Sequence, residues 1–178
     1  MITRKIMLLG EMGVGKTSLV KRLVFGTFSA NYKSSIGSDI YQHEIEPAPN
    51  GQRFVFNVWD TDGSYGPGIF RSVYIRGADA AIVIADATRP ATFGAMADLA
   101  LSFEQELPGR YLALVANKID LVEGPQSTLS GDVRSLPFQL PERLAELGLP
   151  IAPTSAKTGQ NVTALFREAA ETILRRGI

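Results

Sequence analysis

The stretch Ile6-Met-Leu-Leu9-Gly10-Glu-Met-Gly-Val-Gly15-Lys16-Thr17 decides the fold. Four apolar residues in a row suit a strand covered on both faces, and G-x-x-x-x-G-K-[ST] follows it at once. The glycines let the backbone turn tightly enough for successive N–H groups to point inward, and the helix expected over Lys16 to Phe25 presents its positive N-terminus to the same point. Phosphate oxygens are the guest such a cradle suits. Lys16 is placed to neutralise β- and γ-phosphates, and the Thr17 hydroxyl to ligate Mg²⁺. Average residue frequencies give a chance match in roughly one chain of this length in 150.

Working outward, further continuous apolar runs lie at Ala80 to Ala85 and Tyr111 to Ala116, with helical patterns between them. That alternation is the signature of an α/β domain with a mostly parallel sheet. Ile40 to Glu46 and Phe54 to Trp59, joined across Asn50-Gly51, read as a hairpin and as the one antiparallel element. Helices are expected over Ala91 to Leu107 and Pro141 to Leu147. The last helix is marked by Val162, Leu165, Phe166, Ala169, Ala170, Ile173 and Leu174 at i, i+3, i+4, i+7, i+8, i+11 and i+12. Residues 28–38, 61–68 and 124–137 read as loops. At 178 residues the chain is expected to form one domain, 1–178.

The apolar run 111–116 ends on Asn117-Lys118-Ile119-Asp120, where open α/β sheets bind ligands. A carboxylate at Asp120 accepts from both N1–H and the 2-amino group of guanine, and adenine offers neither donor. A buried, under-paired carboxylate would then reject ATP. The Lys118 stem can lie along the base, and Asn117 can tie this loop to the phosphate loop. Thr154-Ser155-Ala156-Lys157, after a short strand Ile151 to Pro153, can turn the Ala156 N–H toward guanine O6.

Composition narrows the partners. Eighteen Lys and Arg balance eighteen Asp and Glu, so no overall positive field is available to gather nucleic acid or anionic lipid. With no cysteine, the chain has no thiolate metal site, cysteine nucleophile or cysteine-linked lipid. No apolar stretch is long enough to cross a bilayer, and a soluble, cytoplasmic protein is expected. The single histidine, His43, reads as a solvated side chain on an edge strand, and Trp59 as core packing.

The order and spacing of these motifs resemble the Ras-like small GTPases, with the Rab branch closest. The resemblance also covers Tyr32-Lys-Ser-Ser-Ile-Gly-Ser-Asp39, Trp59-Asp-Thr-Asp-Gly63 and Arg76-Gly-Ala-Asp79, so it spans essentially the whole chain. It implies a three-layer P-loop fold with six strands, one of them an antiparallel edge strand, and a Mg²⁺-dependent GTP/GDP switch. By that resemblance Gly13, Val14, Gly15, Lys16, Thr17 and Ser18 surround the phosphates. Phe28, Asn117, Lys118, Asp120, Ser155, Ala156 and Lys157 surround the base. Thr17, Ser35 and Asp60 hold the metal, and Lys16, Ser35, Gly63 and Ser64 serve hydrolysis. Effector, GTPase-activating and exchange proteins are the implied partners, at residues 30–46 and 61–76.

Three departures bear on activity. Where the family pattern has Ala-Gly-Gln, this chain has Asp62-Gly63-Ser64. Ser64 is too short to reproduce the reach of a glutamine that orients water, and Asp62 adds a carboxylate beside a polyanion, so weak hydrolysis or a non-hydrolysing scaffold is expected. Met12 stands at a variable loop position. The chain ends Arg175-Arg-Gly-Ile178, without the lipidated tail of membrane-attached members, which suggests a trimmed tail or an anchor-free protein such as a prokaryotic member. A small-metabolite kinase is disfavoured by Asp120 and by the lack of an Arg-rich lid.

Overall fold

The computed structural model describes residues 1–29, 38–46, 51–61, 74–122, 136 and 138–178. Within them six strands form one sheet, β1 (Ile2–Leu9), β2 (Ser38–Glu44), β3 (Phe54–Thr61), β4 (Ala80–Asp86), β5 (Tyr111–Asn117) and β6 (Ile151–Pro153), in the order β2-β3-β1-β4-β5-β6. Only the β2–β3 pair is antiparallel. Among the described residues four α-helices accompany it: α1 (Lys16–Phe25), α2 (Ala91–Glu106), α3 (Glu142–Glu146) and α4 (Val162–Arg176).

Alternation along the central strands divides the core into two layers. Ile6 and Leu8 of β1, with Ile82 and Ile84 of β4, join Leu19, Val20 and Leu23 of α1 and Leu165, Phe166 and Ile173 of α4. Met7 and Leu9, with Ala81, Val83 and Ala85, join Phe93, Met96 and Phe103 of α2 and Leu144 of α3. Every residue of β4 is buried, as its unbroken apolar run requires of a strand covered twice. Each fully buried Leu, Ile or Phe contributes about 1.5–3 kcal/mol of transfer free energy.

Three boundaries differ from expectation. β1 begins at Ile2, four residues before the apolar run, because Ile2 to Lys5 pair with Phe54 to Asn57 of β3, and backbone pairing needs no buried side chain. β2 is shifted two residues toward the N-terminus. The helix expected over 141–147 is a single turn and a half, Glu142–Glu146, with Pro141 just ahead of it. The turn expected around 47–50 and most of the loops 28–38, 61–68 and 124–137 lie outside the described residues.

This topology positions the site. β1 feeds α1 on one face of the sheet while β4 feeds α2 on the other, so the loops leaving the two neighbours diverge and open a crevice beyond the end of β1. Gly10, Asp60, Asp86, Asn117 and Thr154 stand on that rim, at or just past the C-terminal ends of β1, β3, β4, β5 and β6.

Candidate functional site: a phosphate cradle joined to a base loop

The cradle is made by backbone. Gly10, Gly13 and Gly15 have φ of 147°, 80° and 101°, and a Cβ at Gly10 would lie 2.3 Å from the Ile84 carbonyl oxygen. Only glycine passes so close to β4 in that conformation. Gly15 opens α1 with no side-chain cap hydrogen bond and no acidic residue of the helix in the first turn, so the helix itself places no anion at its positive end. Lys16 is buried, and its ammonium donates to the carbonyls of Gly10 and Glu11 at 2.8 Å each.

In the first turn of α1, the Thr17 hydroxyl donates to Asp60 Oδ2 at 2.6 Å. Asp60 is 1% exposed, and its other oxygen, Oδ1, is buried with no hydrogen-bond partner among the described residues. Burial pushes its carboxyl above the ordinary carboxylate range, against the hydrogen bond from Thr17 and the charge of Lys16. A buried carboxylate with one orphaned oxygen beside a hydroxyl and a phosphate cradle, with Asp39 as its cross-strand partner, fits a hard divalent cation that takes its remaining ligands from phosphate and water.

The base loop is made by side chains. Asn117 Nδ2 donates to the Val14 carbonyl at 3.0 Å, and Lys118 Nζ to the Gly13 carbonyl at 2.6 Å, so two residues of the N-K-x-D stretch cross to the phosphate loop. To do so Lys118 adopts φ 66°, one of two left-handed non-glycine residues among those described. Asp120 Oδ1 accepts from the Ser155 hydroxyl at 2.6 Å, and Lys157 Nζ stands 4.0 Å from Oδ2. The Ala156 N–H donates to Asn117 Oδ1 at 3.2 Å, so a base oxygen would have to share or displace that bond. Phe28 follows the Gly26 cap of α1 and is 39% exposed.

The structure thus brings together Gly13, Val14, Gly15, Lys16, Thr17, Asp60, Asn117, Lys118, Asp120, Ser155 and Ala156. Ser35, Gly63 and Ser64, with Asp62, lie outside the described residues. Ser18 lies in the first turn of α1.

Sequence reasoning missed Asp86. It is fully buried, faces Asn117 in the β4–β5 register, and accepts from Lys118 Nζ at 2.7 Å and from Thr88 N and Oγ1 at 2.9 and 2.7 Å. Burial alone would raise its pKa, but the hydrogen bonds from Lys118 and Thr88 win and hold the carboxyl below its ordinary range. A carboxylate ending an otherwise apolar run was the available signal. Arg89 was also missed: it donates to the Met12 carbonyl at 3.2 Å and pairs with Glu11 at 3.4 Å, on the outside of the phosphate loop.

His43 is half-buried, not solvated, because it faces the buried Phe56 across the β2–β3 ladder, and burial lowers its pKa. Trp59 is half-buried too. Lys5 Nζ lies 3.9 Å above its ring and donates to the carbonyls of Tyr74 and Arg76.

A cradle after β1, an acidic residue near the end of β3 and a polar loop after β5 define a P-loop nucleotide-binding protein of the Ras-like α/β architecture. The Ras family model matches residues 5–175, and the chain belongs to that family, among its Rab-like, GTP-binding members. It is similar to the Ras-related protein Rab5A of Oryza sativa subsp. japonica, 37% identical over 177 residues that cover 96% of this chain and 80% of the relative. It is also similar to the Ras-related protein RABF2b of Arabidopsis thaliana, 35% identical over 98% of this chain and 82% of the relative. A third relative is the GTP-binding protein ypt5 of Schizosaccharomyces pombe, 31% identical over 96% and 77%. These relatives are eukaryotic and lend no support to a prokaryotic origin.

Proposed function

We propose that this protein is a Mg²⁺-dependent GTP/GDP switch with slow intrinsic hydrolysis, acting in the cytoplasm on effector, GTPase-activating and exchange proteins. The observation that carries the reading is the pair of bridges from Asn117 and Lys118 to the carbonyls of Val14 and Gly13. They support reading the phosphate cradle and the nearby Asp120, as the guanine-selecting group, as two halves of one site.

In this reading Gly13 to Ser18 hold the phosphates, with Lys16 neutralising the β- and γ-oxygens. Asp120 takes the two guanine donors, Ser155 and Lys157 orient Asp120, Ala156 meets O6, and Phe28 closes the edge of the base. Thr17, Asp60 and, in the GTP state, Ser35 would hold Mg²⁺, which would supply neutralisation of the phosphate charge. The Gly63 N–H contacts the γ-phosphate, so that residues 30–46 and 61–76 respond to its presence. Ile40, 53% exposed, and half-buried Trp59 are cross-strand partners, which supports a protein-binding role for that region.

The second reading is a scaffold that binds GTP without hydrolysing it, favoured by Asp62 and Ser64. Incubation with GTP, with Mg²⁺ or with a chelator, separates the two. Slow, Mg²⁺-dependent appearance of GDP and phosphate is expected. Tight GTP binding with no phosphate release after many hours selects the scaffold, and equal affinity for ADP and GDP rejects both.

A further inference from the structure

The segment after β6 is also held through its backbone carbonyls by a residue of α1. Arg22, in the last turn of α1, donates through Nε to the Ala156 carbonyl at 2.8 Å, through Nη2 to the Lys157 carbonyl, and through Nη1 to the Gly26 carbonyl at 2.7 Å. One guanidinium therefore joins segments 134 and 135 residues apart in sequence to the end of its own helix. Its stem is seated against the turn that follows the base loop, since a Cβ at Gly159 would lie 3.6 Å from Arg22 Cδ.

Two further bonds show what the clamp holds. The Ala156 N–H points the other way, to Asn117 Oδ1, and Ser155 holds Asp120. Arg22 thus fixes residues 156 and 157 from behind while their inward groups face the base site. Its third bond fixes Gly26, two residues before Phe28. We propose that Arg22 is a positioning residue for the guanine site: it sets the separation between the segment bearing Ala156 and the segment bearing Phe28, and so controls how long the nucleotide is retained. The planar fork of the guanidinium suits this role because it offers five N–H groups in fixed directions, where an ammonium is a single point charge on a flexible stem.

This inference rests on reading residues 155–157 as the wall that meets guanine O6. Its test uses the full chain, the variants Arg22→Ala and Arg22→Lys, and two probes, GDP and 6-thio-GDP. Sulfur at position 6 is a larger and weaker acceptor, so a firmly held Ala156 N–H discriminates against it and a loosened one does so less. Arg22→Ala is expected to release GDP about tenfold faster, equivalent to about 1.4 kcal/mol. It is expected to release 6-thio-GDP less than threefold faster, narrowing the parent's preference, with Arg22→Lys between parent and Arg22→Ala on both counts. Thermal unfolding of the nucleotide-free proteins separates this from general loosening, which would accelerate both nucleotides equally. Equal acceleration, or unchanged GDP release, overturns the proposal. A parent protein that does not retain GDP at all overturns the base-site reading itself and this inference with it.

Discussion

The phosphate cradle and the base loop lie side by side but are built on opposite principles. Between Gly10 and Gly15 the work is done by backbone, and side chains matter by being absent. Between Asn117 and Lys157 it is done by side chains that bond one another and strap onto the cradle. The first fails when an atom is added, the second when a polar atom is removed. A steric failure has no cheap relaxation, because the obstructing atom is backbone or a strapped side chain, whereas a lost hydrogen bond costs a defined increment.

The largest effect is therefore expected from adding one methyl group to the cradle. Gly10→Ala would drive a Cβ to 2.3 Å from the Ile84 carbonyl of central β4, and destabilisation of about 3 kcal/mol or more is expected in denaturant titrations. Gly15→Ala would place its Cβ 2.3 Å from Asn117 Nδ2, breaking the strap to Val14 as well as straining φ 101°. Nucleotide affinity is expected to fall at least a hundredfold by calorimetry. If Gly15→Ala binds GDP normally, the backbone half of the comparison is wrong.

On the base side, Asp120→Asn removes an acceptor without adding volume. GDP affinity should fall about a hundredfold, and xanthosine diphosphate should become the better ligand, because the amide donor faces a carbonyl where guanine has an amine. Competition between the two nucleotides measures this directly.

Asp86 gives a smaller, pH-coded effect. Its folded pKa is depressed, so its stabilising contribution is complete above the unfolded value near 4 and is lost as pH falls through the lower folded value. Asp86→Asn should cost about 2 kcal/mol at neutral pH and should flatten the acid limb of stability below about pH 4. A variant whose acid limb superimposes on the parent's would show that Lys118 is oriented without this carboxylate.

The smallest effect is expected where hydrolysis is concerned. Ser64→Gln should raise the single-turnover rate by up to about tenfold, or about 1.4 kcal/mol of barrier, by supplying reach to the attacking water. Equal rates in parent and variant would place water positioning in another residue.

Much of this was legible in the chain. The all-apolar run 80–85 required a doubly covered strand, and G-x-x-x-x-G-K-[ST] required a tight turn into a helix, because each pattern has one economical backbone solution. The start of β1 was hidden, since Ile2 to Lys5 are held by ladder bonds to β3 that leave no apolar trace. His43 was misjudged because polar neighbours in sequence say nothing of the face across the strand, where Phe56 lies.

The residue types of the site were set by sequence, because a phosphate cradle and a carboxylate proposed to select guanine need particular chemistry at particular local spacing. What holds them together was decided by the tertiary structure alone. Asp86 behind Lys118, Arg22 behind Ala156 and the orphaned oxygen of Asp60 depend on register and on helix placement across more than thirty residues of separation. No local pattern encodes a contact whose partners meet only when the sheet has formed and the loops at its rim have been brought side by side.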